Sequence, residues 1–179
     1  QGENPYYQHL FKVSLDGGQP QEITSGSYFH NPIMDDEGKY FVDNYSNVEC
    51  APRTRLISTE GKQLLLLEEA DMTELLANGY QYPEQFVVKA ADGVTDLWGV
   101  MYKPFNFDST KVYPIIDYVY PGPQVEATEY VFTPMRLRTD RLAQAGFIAS
   151  AVGNRGSRLH RAKLYHIYGY GNFRDYGLA

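Results

Sequence analysis

The sequence predicts a mixed chain. Short hairpin-joined strands of a β-sandwich or of β-propeller blades run from residue 6 to about 68, and the opening of a parallel α/β sheet follows. Three observations predict it. Extended runs in the first part are separated by Asp/Gly turn chemistry, the period turns helical near Asp71, and beyond Pro83 the extended runs lengthen and enclose a helix.

Taken in order, Tyr7 to Leu15 carries Leu10, Phe11, Val13 and Leu15. The tight-turn signal Asp16-Gly17-Gly18 follows, with Gln21 to Thr24 as a partner strand. A loop is expected around Asn31-Pro32, then the turn Asp35-Asp36-Glu37-Gly38-Lys39 and the strand Tyr40 to Tyr45, rich in residues suited to a pleated surface. Cys50 is expected in a loop beside Pro52, as a small buried or half-exposed thiol rather than a reactive one. A third hairpin joins Arg53–Ser58 to Gln63–Leu67 through Thr59-Glu60-Gly61-Lys62. One or two blades cannot bury both faces alone, so this region is expected to need neighbours that the chain does not supply.

The segment from Asp71 to Gly79 reads as a short helix, capped by Asp71, with Glu74 three later and Gly79 at its stop. Strands are then expected over Gln85–Ala90 and Thr95–Tyr102, joined by Asp92-Gly93, and over Tyr113–Tyr120. The last is apolar enough to be buried on both faces. Pro134 to Ala145 has helical spacing and stops at Gly146, before the strand Phe147–Val152. Strand, helix, strand predicts a parallel pair.

Composition narrows the function classes. Sixteen basic against 22 acidic residues leave a net charge of −6, the wrong sign for a nucleic-acid or anionic-membrane surface. Hydrophobic residues make up 43% of the chain and aromatics 15%, enough for a packed core. The single cysteine excludes an internal disulfide and a cysteine-rich metal cluster, and no run reaches the roughly 18 to 20 apolar residues of a spanning helix. With no initiator Met, no signal-peptide pattern and an end just after turn residues, the chain reads as a piece of something longer.

The nucleophile search finds no Gly-x-Ser-x-Gly, no phosphate-cradling loop and no zinc-protease His pair. His160 and His166 read as surface or loop histidines among Arg158, Arg161 and Lys163. What survives is Tyr118-Val119-Tyr120-Pro121-Gly122-Pro123, at the end of the apolar strand. A loop there leaves the carboxyl edge of a parallel sheet, two prolines stiffen it, and a phenol held in it can donate to an oxyanion or simply pack with its hydroxyl wet. Gly153-Asn154-Arg155-Gly156-Ser157 leaves the next strand in the same sense, with Arg155 near the same edge or in a structural ion pair.

Tyr118 to Pro123, the strand Phe147–Val152, Asn154-Arg155-Gly156-Ser157 and Tyr170-Gly171-Asn172, in that order, resemble the start of the catalytic domain of dipeptidyl peptidase IV-type enzymes, of the prolyl oligopeptidase family of serine peptidases. Asp35 to Phe41 resembles that family's repeating blade turn. The resemblance implies a fold class of β-propeller blade strands followed by the N-terminal part of an α/β-hydrolase sheet. It divides the chain into 1–68, the end of a β-propeller with one to two blades; 69–82, a connector with a short helix; and 83–179, the truncated N-terminal portion of the hydrolase domain.

It further implies a peptide substrate cleaved by acyl transfer into short N-terminal units often ending in proline, no metal or organic cofactor, and a parent that can be a homodimer. Members of the family are secreted, periplasmic or cytoplasmic. Tyr120 occupies the position of the oxyanion-hole tyrosine, and Arg155 is assigned to holding the loop near the site. The nucleophile elbow, the remaining triad and the acidic residues that hold a substrate amine would lie outside this chain, which alone is expected to be inactive. Gly153 stands where relatives usually carry Asp, and Pro121 where some carry Ala. The competing reading is a non-catalytic binding protein on the same frame.

Overall fold

The computed structural model describes residues 4–119, 130–132 and 139–153, and is mostly antiparallel β-sheet with two short helices. It forms two compact units, residues 1–73 with Tyr130–Phe132, and residues 74–129 with 133–179.

In the first unit, β3 (Phe29–Met34), β4 (Tyr40–Asn47), β5 (Cys50–Ser58) and β6 (Gln63–Glu69) form an antiparallel sheet in that order. The Asp35 turn forms as its chemistry dictates: Asp35 Oδ1 accepts the N–H groups of Lys39 and Tyr40, both at 2.7 Å, so the side chain closes the hairpin. These bonds, the Tyr40 N–H foremost, hold its carboxyl below the ordinary aspartate range. The first hairpin is much shorter than the sequence suggests, two residues on each side, β1 (Phe11–Lys12) and β2 (Gln21–Glu22). Both strands are exposed, so little packing extends their ladder.

Two expected loops are strands. Asn31-Pro32 lies inside β3, where Pro32 is opposite Asp43; β3 is an edge strand, and an edge tolerates a residue with no N–H to donate. Cys50 and Pro52 lie in β5, a central strand. Pro52 is accommodated by a register shift between Tyr45 and Asn47, a bulge being the other place where a sheet admits proline.

In the second unit, α1 (Thr73–Ala77) is followed by β7 (Glu84–Lys89), β8 (Asp96–Tyr102), β9 (Ile115–Tyr118), α2 (Thr139–Gln144) and β10 (Ile148–Val152). Asp71 Oδ1 accepts the Thr73 N–H at 2.9 Å, as the sequence leads one to expect of a capping residue. Both helices end in the same motif. Gly79 N–H donates to Leu76 O and Tyr80 N–H to Leu75 O, and Gly146 and Phe147 repeat this onto Ala143 and Leu142. The positive φ of each glycine, 88° and 96°, makes that reversal possible.

The sheet order is β7-β8-β10-β9, antiparallel except for the parallel pair β9 and β10. Its core is Ala90, Leu97 and Val152, with Phe86 and Val88 packed against them. β9 is not buried on both faces: it is an edge strand with Ile115 68% exposed, because only β10 pairs with it and no described element covers its open side. No helix among the described residues is long and apolar enough to cross a membrane.

Candidate functional site

The edge that the sequence singles out is built by β9 and β10. Their register, Ile115 against Ile148 through Tyr118 against Ala151, makes both strands leave the sheet at one edge, at Val119 and Gly153. Ligand crevices of open α/β sheets lie at such carboxyl ends. Gly153 is buried and its N–H donates to the Trp98 carbonyl at 2.9 Å, so β8 holds this backbone. Tyr120 and Arg155 follow the two strands directly and lie outside the described residues, as do Pro121 to Pro123, His160, His166 and Tyr170 to Asn172.

Beneath that edge, Ser150 Oγ–H donates to Asp117 Oδ1 at 2.7 Å across the parallel pair. Partial burial pushes the Asp117 carboxyl above its ordinary range, and the Ser150 bond pulls weakly the other way. The two open on a cavity of about 370 Å³ whose other walls include Phe86, Met101, Ile115 and Ile148. Ser150 donates to a carboxylate, and among the described residues lining the cavity there is no imidazole.

A second polar cluster escaped the sequence reading. His30 and Asp43 are fully buried, with His30 Nδ1 2.9 Å from Asp43 Oδ2, and Arg55 Nε donates to the same oxygen at 3.0 Å. Strand register brings them together: Asp43 faces Arg55 directly, and His30 lies two residues from Pro32, the partner of Asp43 on the other side. The Arg55 guanidinium also lies 4.6 Å over the Tyr45 ring, which stacks on His30. The one signal in the sequence was an aspartate in the middle of the strand pattern Tyr40 to Tyr45. Its partners are invisible until the register is known. The buried cluster ties three neighbouring strands together through side chains.

Cys50 is half-buried, its Sγ–H directed at the Ala51 carbonyl. Among the described residues no group of three or more His, Cys, Asp or Glu side chains converges as a metal site would require.

Comparison with known proteins is consistent in kind. The family model of the dipeptidyl peptidase IV (DPP IV) N-terminal region matches residues 1–52. Dipeptidyl peptidase 8 of Homo sapiens is 30% identical over 164 residues, covering 87% of this chain and 18% of the relative. Its counterpart in Mus musculus is 29% identical with the same coverage. A probable dipeptidyl-aminopeptidase B of Emericella nidulans is 27% identical over 161 residues, covering 87% of this chain and 17% of the relative. The chain thus spans under a fifth of the length of these relatives. On this similarity, over most of its residues, the chain belongs to the dipeptidyl peptidase IV-like family.

Proposed function

We propose that the chain is part of a serine exopeptidase that removes short N-terminal units from peptides by acyl transfer. The observation that carries the reading is the similarity to dipeptidyl peptidases over 87% of the chain, with the sequence Tyr118 to Pro123 beginning at the last residue of β9, in the only parallel strand pair among the described residues. In this reading residues 1–68 end a β-propeller, 69–82 connect, and 83–179 begin an α/β-hydrolase domain. The four-stranded antiparallel β3–β6 sheet supports the first assignment, being the composition of one blade, and the β9–α2–β10 crossover supports the last.

The chemistry needs negative charge on the substrate carbonyl oxygen to be met by donors already in place. A serine outside this chain attacks the carbonyl carbon, a histidine takes its proton, and the oxygen becomes an oxyanion. Tyr120 donates its phenolic O–H to that oxygen beside a backbone N–H from the nucleophile turn. Pro121 and Pro123 restrict the backbone beyond it, and Arg155, three residues after the last residue of β10 in the sequence, is assigned to steadying the loop. No metal or organic cofactor enters these steps.

The test is the full-length protein incubated with peptides bearing proline second from the free amino end. Release of the N-terminal dipeptide, abolished by alanine at the serine of a downstream Gly-x-Ser-x-Gly, is the expected result. A full-length protein with no such elbow and no dipeptide release would instead be a binding protein on the same frame.

A further inference from the structure

Glycine follows an aspartate or asparagine at Asp16-Gly17, Asn78-Gly79 and Asp92-Gly93. Such a dipeptide carries a reaction of its own. With no side chain on the glycine to shield it, the backbone nitrogen can reach the side-chain carbonyl carbon of the residue before it and close a five-membered ring. By residue type alone Asn78-Gly79 is the fastest of the three, because an amide loses ammonia without a carboxylate having to be protonated first. The structure treats the three differently.

Asn78 lies in the closing turn of α1. Its side-chain amide donates to Glu74 O at 2.7 Å, its backbone N–H to the same carbonyl at 3.1 Å, and the Gly79 N–H to Leu76 O at 3.0 Å. Asp92 is held as firmly. Its Oδ1 accepts the Val94 and Thr95 N–H groups, both at 2.9 Å, its Oδ2 accepts the Thr95 Oγ–H at 2.6 Å, and the Gly93 N–H donates to Ala90 O at 2.8 Å. Asp16 is exposed, like Gly17 and Gly18 after it, and no hydrogen bond or ion pair engages its carboxyl. The turn rests on Ser14, whose carbonyl takes the Gly17 N–H at 3.1 Å and whose Oγ takes the Asp16 N–H at 3.2 Å. The strands it joins, β1 and β2, pair through two exposed residues each, so opening this hairpin breaks little.

We propose that Asp16-Gly17 is a site of spontaneous isoaspartate formation in the folded protein, and that the fold closes the same reaction at Asn78 and Asp92. The Gly17 nitrogen attacks Asp16 Cγ. A C–N bond forms as the Cγ–OH bond breaks, and the hydroxyl leaves as water with the amide proton. Water then opens the succinimide at either carbonyl. Opening at the former backbone carbonyl runs the chain through the side chain, with mass unchanged and one extra CH₂ in the backbone. The added link falls in the turn that sets the register of Phe11 with Glu22.

The experiment stores the full-length protein at neutral pH and body temperature, folded and in parallel in guanidinium chloride, and follows both by peptide mapping. Isoaspartate appears as a second peak of the same mass, and deamidation of Asn78 as a gain in mass. At about fivefold per hydrogen bond that has to open, the three at Asn78-Gly79 should slow its reaction about 10²-fold on folding, and the one at Gly17 should slow Asp16 only about fivefold. Asp92 should be protected at least as strongly as Asn78. Asp16→Glu, whose longer side chain cannot close the five-membered ring, should abolish the second peak and leave the Asn78 rate unchanged. Protection of Asp16 equal to that of Asn78, no isoaspartate at Asp16 in the folded protein, or a second peak that survives Asp16→Glu would overturn the proposal.

Discussion

Two mid-strand aspartates show how the two units of this chain differ. Asp43, on the central strand β4, is fully buried between His30 of β3 and Arg55 of β5. Asp117, on the edge strand β9, has one neighbouring strand, which offers it only the Ser150 hydroxyl. A strand flanked on both sides can surround a carboxylate with hydrogen-bonding partners. The edge strand offers one hydroxyl, and partial desolvation raises the Asp117 carboxyl above its ordinary range. Strand order, more than residue identity, decides which partners a mid-strand acid meets.

The largest effect that would break this contrast is at Asp43. Asp43→Ala leaves Arg55 and His30 without their acceptor and should destabilise the first unit by about 3 to 5 kcal/mol, read by denaturant unfolding. A loss under 1 kcal/mol would mean that the clamp is incidental. In the second unit, Gly99→Ala should cost about 1 to 3 kcal/mol, because an added Cβ would sit 2.4 Å from Phe86 Cζ and the ring must move within the core. The thermal midpoint of the variant checks this.

The smallest effect is at Asp117. Its raised pKa means that the folded state holds its proton more tightly than the unfolded chain. Stability from this group is therefore present at low pH and is lost as pH rises from the ordinary aspartate range through the raised value. Asp117→Asn should match the parent protein in acid and be slightly more stable at neutral pH, seen as a gap between two stability-against-pH curves. A variant less stable at neutral pH would reverse the sign and refute the burial argument.

Much of the local structure was legible because single side chains dictate it. Asp35 closes its own turn, and Gly79 and Gly146 stop their helices by taking a conformation closed to other residues. The prolines misled: Pro32 and Pro52 read as punctuation, yet an edge and a bulge each admit one. Whether a strand is an edge is a long-range property, and so is the order β7-β8-β10-β9, in which the last strand inserts between the second and third. The His30–Asp43–Arg55 cluster was hidden for the same reason. Of the candidate site, the sequence supplied Tyr120 and Arg155 by motif, and the fold supplied the parallel edge from which the chain continues to both.

The central claim is tested most directly by turnover of the full-length protein with Tyr120→Phe. Loss of one oxyanion donor removes about 2.7 to 4 kcal/mol of transition-state stabilisation, so kcat should fall about 10²- to 10³-fold while KM stays nearly constant. An unchanged kcat would contradict the assignment of Tyr120.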